Sequence, residues 1–367
     1  MGWKNDLRNC IEDVSELAGL PIASEPEFCG LRAVTERFPM RIPQYYRNLI
    51  NWSDPDDPIR RMCVPSMDEL ESSGSFDTSG EERNTKQTGL QHKYTQTALI
   101  LSTNICAMYC RHCFRKRMVG LSEAELSRQL DEAVDYVRSH PEITNVLISG
   151  GDSLMMPDSL IRRYLEAFTE IESLHLIRFG SRIPVVLPQR IDDGLISVFR
   201  EFSDRKQIYL VTQFNHPREL SEESVASVRR FIDVGVQVRN QTVLLRGVND
   251  SPAVMGELLQ GLTATGIVPY YIFQCRPVRG VRERFQIPLE KGIRVVDGAK
   301  EMQSGIGKSV RYVMSHPKGK IEMIGMIESG ETVFKFHQSA DESDSARIFT
   351  RVLDADSRWL DDNLDPY

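Results

Sequence analysis

Residues 98–113 read Ala-Leu-Ile-Leu-Ser-Thr-Asn-Ile-Cys-Ala-Met-Tyr-Cys-Arg-His-Cys. An apolar run of strand length ends in a loop that carries Cys106, Cys110 and Cys113. Three thiolates on so short a loop can converge on one metal centre. A structural zinc site wants four ligands, and the remaining cysteines, Cys10, Cys29, Cys63 and Cys275, lie elsewhere in the chain. A cubane iron–sulfur cluster held by three cysteines leaves one iron open to a small molecule. The plainer alternatives are three unrelated thiols, or a zinc site completed by His112.

Outward from this loop the chain alternates. Apolar runs at 98–102, 145–149, 176–179, 207–212, 236–245 and 268–274 read as strands. Amphipathic stretches separate them: Leu126, Leu130, Val134 and Val137 share one helical face, opened by Ser122 and Glu125 as a capping box. Val225, Val228 and Ile232 repeat the device after Ser221. Successive βα units require a parallel sheet, and six of them predict an α/β fold that closes into a full or a partial (β/α)6 TIM-like barrel. Chemistry in such barrels gathers at the C-terminal ends of the strands, where the cysteine loop falls.

The flanks differ. Residues 1–90 predict a helical and irregular extension, with a helix in 32–46 broken at Pro39 and Pro43 and a Gly/Ser-rich linker or mobile loop at 72–88. Residues 91–276 form the expected barrel core, and 277–338 a C-terminal helix with short strands at 310–314, 320–325 and 332–337. The acid-rich segment 339–367 reads as a surface tail.

A chain of 367 residues suits one large α/β barrel with additions. No apolar run approaches the roughly 18 residues of a membrane span. Acids stand where a signal peptide would have its apolar core, so a cytoplasmic protein with reduced cysteines is expected. The net charge of -7 disfavours nucleic-acid and anionic-membrane partners, though not a local basic pocket.

The cysteine loop and five further segments carry a resemblance. CAMYCRHCFRKR (106–117), ISGGD (148–152), GSRIPVVLPQRI (180–191), FNHP (214–217), NQTVLLRGVND (240–250) and PYYIFQC (269–275) resemble the lysine 2,3-aminomutase family of radical S-adenosylmethionine enzymes, over roughly residues 90–325. The resemblance implies an isomerase that moves an amino group between C2 and C3 of an amino acid. It implies a 4Fe-4S cluster on Cys106, Cys110 and Cys113, whose open iron chelates S-adenosylmethionine and generates a 5′-deoxyadenosyl radical. Ser149, Gly150, Gly151 and Asp152, with His112, His216 and Gln241, match positions that touch this cofactor. Lys320 matches the lysine that binds pyridoxal 5′-phosphate as an imine, with Lys93 and Tyr94 beside it. Arg115 matches the residue that grips the substrate carboxylate, a task its bidentate fork suits. Arg182, Gln189 and Arg190 could be framework charges. An electron donor such as a flavodoxin or ferredoxin is implied.

Departures from the family narrow these expectations. The glycine loop before the lysine is shortened to Pro317-Lys318-Gly319, and Thr97 stands in place of a second phosphate-binding arginine, leaving Lys318 as a candidate substitute. Arg276 and Ser315 replace two aspartates that hold the substrate lysine's ammonium. An ammonium would then face Arg276, at the cost of burying like charges, whereas an anionic side chain would be welcome. Glutamate 2,3-aminomutases make the same kind of change. The expected substrate is therefore an acidic amino acid. A radical enzyme without pyridoxal phosphate and a non-catalytic iron–sulfur protein remain as alternatives. Ser251 stands at a position of the family's zinc site and no cysteine follows Cys275, so no zinc is expected and the implied homo-oligomer loses its staple.

Overall fold

The computed structural model describes residues 2–17, 25–121, 123–126 and 130–367, with the backbone alone for 25–29. Among the described residues, one sheet of twelve strands joined in chain order forms the centre. These are β1 (Thr85–Gln87), β2 (Leu90–Tyr94), β3 (Thr97–Thr103), β4 (Asn145–Gly150), β5 (Leu176–Gly180), β6 (Gln207–Thr212), β7 (Gln237–Leu244), β8 (Val268–Gln274), β9 (Arg311–His316), β10 (Gly319–Met326), β11 (Glu331–Ser339) and β12 (Ile348–Val352). Neighbours from β3 to β9 run parallel, and antiparallel strands extend both ends. The six predicted strands are present, and the sheet's two ends do not pair, so the barrel is the partial one.

Alternation explains how the strands sit. Along β4, Val146 and Ile148 are buried beneath the helices while Leu147 and Ser149 face the barrel interior. The covering helices present the complementary stripe: in Asp158–Thr169, Ile161, Tyr164, Leu165 and Phe168 are buried at helical spacing. Each such side chain contributes about 1.5–3 kcal/mol. Side-chain caps start two more of the covering helices, Asp193–Ser203 and Glu222–Ile232. Asp192 accepts from Leu195 N at 3.0 Å and Ser221 from Ser224 N at 3.2 Å. The expected cap at Ser122 lies outside the described residues. Glu125 stands in a turn before the helix Leu130–Ser139 and pairs with Arg117 at 2.7 Å.

Two sequence expectations need correction. Residues 72–88 are not a free linker. They contain a helical turn (Glu81–Asn84) and β1, and Ser75 N donates to Pro277 O at 3.0 Å. Their polar side chains find buried partners in the barrel, which composition does not reveal. Nor is 339–367 a surface tail throughout. Its middle supplies β12, and Trp359, Leu360 and Leu364 are buried against the core. Three apolar anchors outweigh the surrounding acids. In the N-terminal extension, helices Glu25–Arg37 and Gln44–Asn48 flank the break expected at Pro39 and Pro43.

Candidate functional site

A cavity of about 360 Å³ opens inside the sheet, from the cysteine loop to Thr97 at the start of β3. All three cluster cysteines line it and are half-buried. Burial pushes the Cys113 thiol up to about 11 and the Cys106 thiol well above its ordinary value. Thiolates at these positions therefore need a compensating cation such as iron. Arg182 reaches the loop from beyond β5, donating through Nη1 to Cys110 Sγ at 2.8 Å and through Nη2 to Glu219 at 2.6 Å. Among the described residues no group of three or more His, Cys, Asp or Glu converges on a single-ion position. His112 turns Nε2 towards the side-chain amides of Gln213 (3.0 Å) and Asn215 (3.3 Å), which disfavours the zinc alternative. With those amides donating, the ring proton sits on Nδ1, a buried group without a partner. Half-buried thiols on one wall and an unsatisfied N–H beside them fit a thiolate-held cluster with a polar ligand next to it.

The end of β4 forms the adjoining wall. Gly150 has φ +121°, and a Cβ there would sit 2.3 Å from Thr103 O; at Gly151 it would sit 2.5 Å from Ile105 O. Only glycine lets this turn lie against the start of the cysteine loop. Asp152 lines the cavity but is already well occupied: its carboxylate accepts from Leu154 N (3.1 Å), Ser181 Oγ (2.6 Å) and Arg182 N (2.7 Å). Gln241 also faces the cavity. His216 does not. It caps the turn Pro217–Glu219, accepting from Arg218 N at 3.2 Å, because Pro217 and Glu219 complete a capping box around it. The structure instead brings in Gln213 from the same loop.

Lys320 on β10 points into the opposite end. Its Nζ donates to Gln338 Oε1 at 3.0 Å and lies 4.2 Å from the centre of the Tyr271 ring. Burial, then the nearby charges of Arg178, Lys93 and Arg276, lower its pKa to about 7. Lys93 donates to Ser79 O (3.1 Å) and His316 O (2.6 Å), and burial first, then Arg276 and Arg83, brings it to about 7 as well. Tyr94 lines the cavity beside it. An amine held half-neutral, an aromatic platform and a second amine fit an aldehyde cofactor bearing a phosphate. Lys318, the candidate substitute anchor, does not line the cavity.

Between these ends stand two guanidiniums over one ring. Arg115 lies 4.5 Å and Arg276 4.1 Å from the centre of Phe114. Arg115 gives one edge to Glu81 at 3.1 Å and reaches Ser149 Oγ at 3.4 Å. Arg276 donates to Ser79 Oγ at 3.0 Å, and burial brings its pKa down to about 10 despite the charge of Glu81. Ser315 lines the cavity as well. Arg190, by contrast, donates to Leu154 O and Met156 O and binds Asp158 at 2.6 Å, a framework role.

Sequence reasoning missed Ser79, Glu81 and Arg178. The first two were hidden in the polar stretch. Arg178 was findable, since Leu176, Arg178 and Gly180 alternate along β5 with the buried Ile177 and Phe179.

The profile of the Radical SAM superfamily matches residues 100–258. The chain is 40% identical over 342 residues to a protein of Aquifex aeolicus, covering 92% of this chain and 91% of the relative. It is 39% identical to the L-lysine 2,3-aminomutase of Clostridium subterminale, covering 83% of this chain and 73% of that one. It is 34% identical to the glutamate 2,3-aminomutase of Clostridioides difficile, covering 86% and 75%. Among the described residues no helix is long and apolar enough to cross a membrane.

Proposed function

This chain belongs to the lysine 2,3-aminomutase family of radical S-adenosylmethionine enzymes, and on that footing we propose that it moves an amino group between C2 and C3 of an acidic amino acid rather than of free lysine. Membership makes it an enzyme of the isomerase type, and its Radical SAM domain implies a 4Fe-4S cluster and S-adenosylmethionine. In this reading Cys106, Cys110 and Cys113 hold the cluster, with His112, Gln241 and the turn Ser149–Asp152 around the adenosyl ligand. His216 keeps the loop in place from outside the cavity.

The observation that supports an acidic substrate is Arg276. Its guanidinium faces the cavity, bound to a hydroxyl and the face of an aromatic ring, with Glu81 committed to Arg115 and Arg117. A substrate carboxylate would complete its hydrogen bonding, and a substrate ammonium would meet a buried like charge. Arg115 keeps its free edge for the α-carboxylate. Two cations over one ring thus fix the spacing between two carboxylates, and Ser315 supports the second.

Lys320 supplies an amine that pyridoxal phosphate can take at neutral pH. When bound, that cofactor supplies a π system that eases nitrogen migration between adjacent carbons. The enclosing barrel keeps water from the reacting atoms.

The test uses anaerobically reconstituted protein with deuterated L-glutamate, L-aspartate and L-lysine. Deuterium should pass from a dicarboxylic substrate into 5′-deoxyadenosine, with a β-amino dicarboxylate as product. Robust conversion of L-lysine to β-lysine would overturn the reading.

A further inference from the structure

Among the described residues six cationic side chains line the cavity, and five have tasks above: Lys93, Arg115, Arg182, Arg276 and Lys320. Arg178 has none. It sits in the middle of β5 on the face turned to the interior. One of its nitrogens, Nη2, donates to Asn145 Oδ1 at 2.5 Å, while Nε is buried without a partner. The acceptor is a neutral amide. Tyr270 and Tyr271 are its electrostatic neighbours, and no carboxylate pairs with it among the described residues. A guanidinium buried without an anion is costly, and here it also opposes the ammonium of Lys320. Such an arrangement is favourable once an anion arrives between them.

The position of that anion follows from the neighbours. Asn145 donates through Nδ2 to Thr97 Oγ1 at 3.1 Å while accepting from Arg178, so the three side chains form one connected row. Thr97 offers a hydroxyl there but no charge. Lys93, on β2, lines the same end and has used two of its three N–H groups on backbone carbonyls. Arg178 is planar and keeps donors unused, the geometry that suits two oxygens of one phosphate.

We infer that Arg178, helped by Lys93 and the Thr97 hydroxyl, binds the phosphate monoester of the aldehyde cofactor received by Lys320. The inference rests on the reading of Lys320 as the cofactor lysine. Attachment joins the amine and the aldehyde carbon with loss of one water. Arg178 takes no part in that step and acts only on the phosphate.

The test compares pyridoxal phosphate with pyridoxal, which lacks the phosphate, in equilibrium titrations of the imine absorbance of the full chain. Removing Arg178 also changes the basicity of Lys320, but equally for both aldehydes, so the ratio of their affinities isolates the phosphate contact. Arg178→Gln should lower that ratio about tenfold or more, and Arg178→Lys should recover part of the loss. An unchanged ratio overturns the inference. On the wild-type protein, millimolar inorganic phosphate should compete with pyridoxal phosphate and not with pyridoxal; equal competition also overturns it, whatever the variants' folding. An imine band in the wild type that is lost in Lys320→Ala supports the underlying reading independently. Absence of any band in the wild type overturns both.

Discussion

Arg182 joins Cys110 to Glu219: one end of its guanidinium lies 2.8 Å from the sulfur and the other 2.6 Å from the carboxylate. Glu219 is buried and also receives Tyr46 Oη at 2.6 Å and Asn215 N at 2.6 Å. The arginine is therefore held firmly and aimed at one sulfur of the cysteine loop. A cation and hydrogen-bond donor at a ligand sulfur favours the more negative, reduced state of a cluster.

Arg182→Met should consequently make the cluster harder to reduce. If the contact differs by about 1 kcal/mol between oxidation states, the midpoint potential falls by roughly 40 mV. Potentiometric titration followed by electron paramagnetic resonance reads this directly. A potential equal to that of the wild type would show that the contact does not survive cluster assembly.

Glu69 ties the N-terminal extension to the cysteine loop. Its buried carboxylate binds Arg111 and Lys116, each at 2.5 Å, and Arg284 at 3.6 Å. Burial alone would raise its pKa, but Arg111, Lys116 and Arg284 overcome this and pull it down to about 2. Glu69→Gln leaves three cations without their anion and should cost about 3–5 kcal/mol. The same logic gives an acid dependence. The folded pKa lies below the unfolded one, so the stabilisation is complete above the ordinary carboxylate range and is lost as pH falls towards 2. Urea unfolding of the variant at neutral pH should show a lower midpoint with an unchanged slope.

The legible part of this protein was its parallel sheet. Apolar runs bounded by turns located β3 to β8, and a loop with three cysteines after the first of them pointed to a wall of the cavity. Residues 72–88 were illegible for a physical reason. Ser79 and Glu81 are buried only because Arg276, Arg115 and Arg117 reach them from later in the chain, and local composition carries no trace of that. His216 was illegible in another way. Its motif lies beside the site, but a local capping box decides where the ring points. Arg178 was readable from β5 alone, where a charged residue shares the inward face with Gly180.

The turn after β4 should tolerate no side chain. Gly150 combines a φ of +121° with 2.3 Å to Thr103 O, so Gly150→Ala meets both strain and a backbone clash. The expected cost is about 2 kcal/mol or more. Because Gly151 packs on Ile105, the displacement passes straight into the cysteine loop. Iron content after reconstitution should fall along with thermal stability. A variant that loads its cluster normally would separate the turn from the loop.

Lys320 makes the fold less stable than an apolar residue would. Its folded pKa is about 7 against 10.5 in water, because burial, then Arg178, Lys93 and Arg276, disfavour its charge. The unfolded chain therefore binds more protons between those values, and stability rises with pH across that window. Below about pH 7 the whole cost of burying the charge is present. Lys320→Met keeps the length of the side chain and its packing on the Tyr271 ring while removing the charge. It should stabilise the protein without cofactor by roughly 2–4 kcal/mol at neutral pH, and by less as pH approaches the unfolded value. Under the proposed function the same amine would set the rate of cofactor capture in the wild type. Only its neutral form attacks an aldehyde, so imine formation should climb with pH and level off above about 7, where an ordinary lysine would still be climbing. Denaturation curves and imine-formation rates measured at matched pH values check both halves. A Lys320→Met variant no more stable than the wild type would mean that the ammonium is better solvated than its surroundings imply.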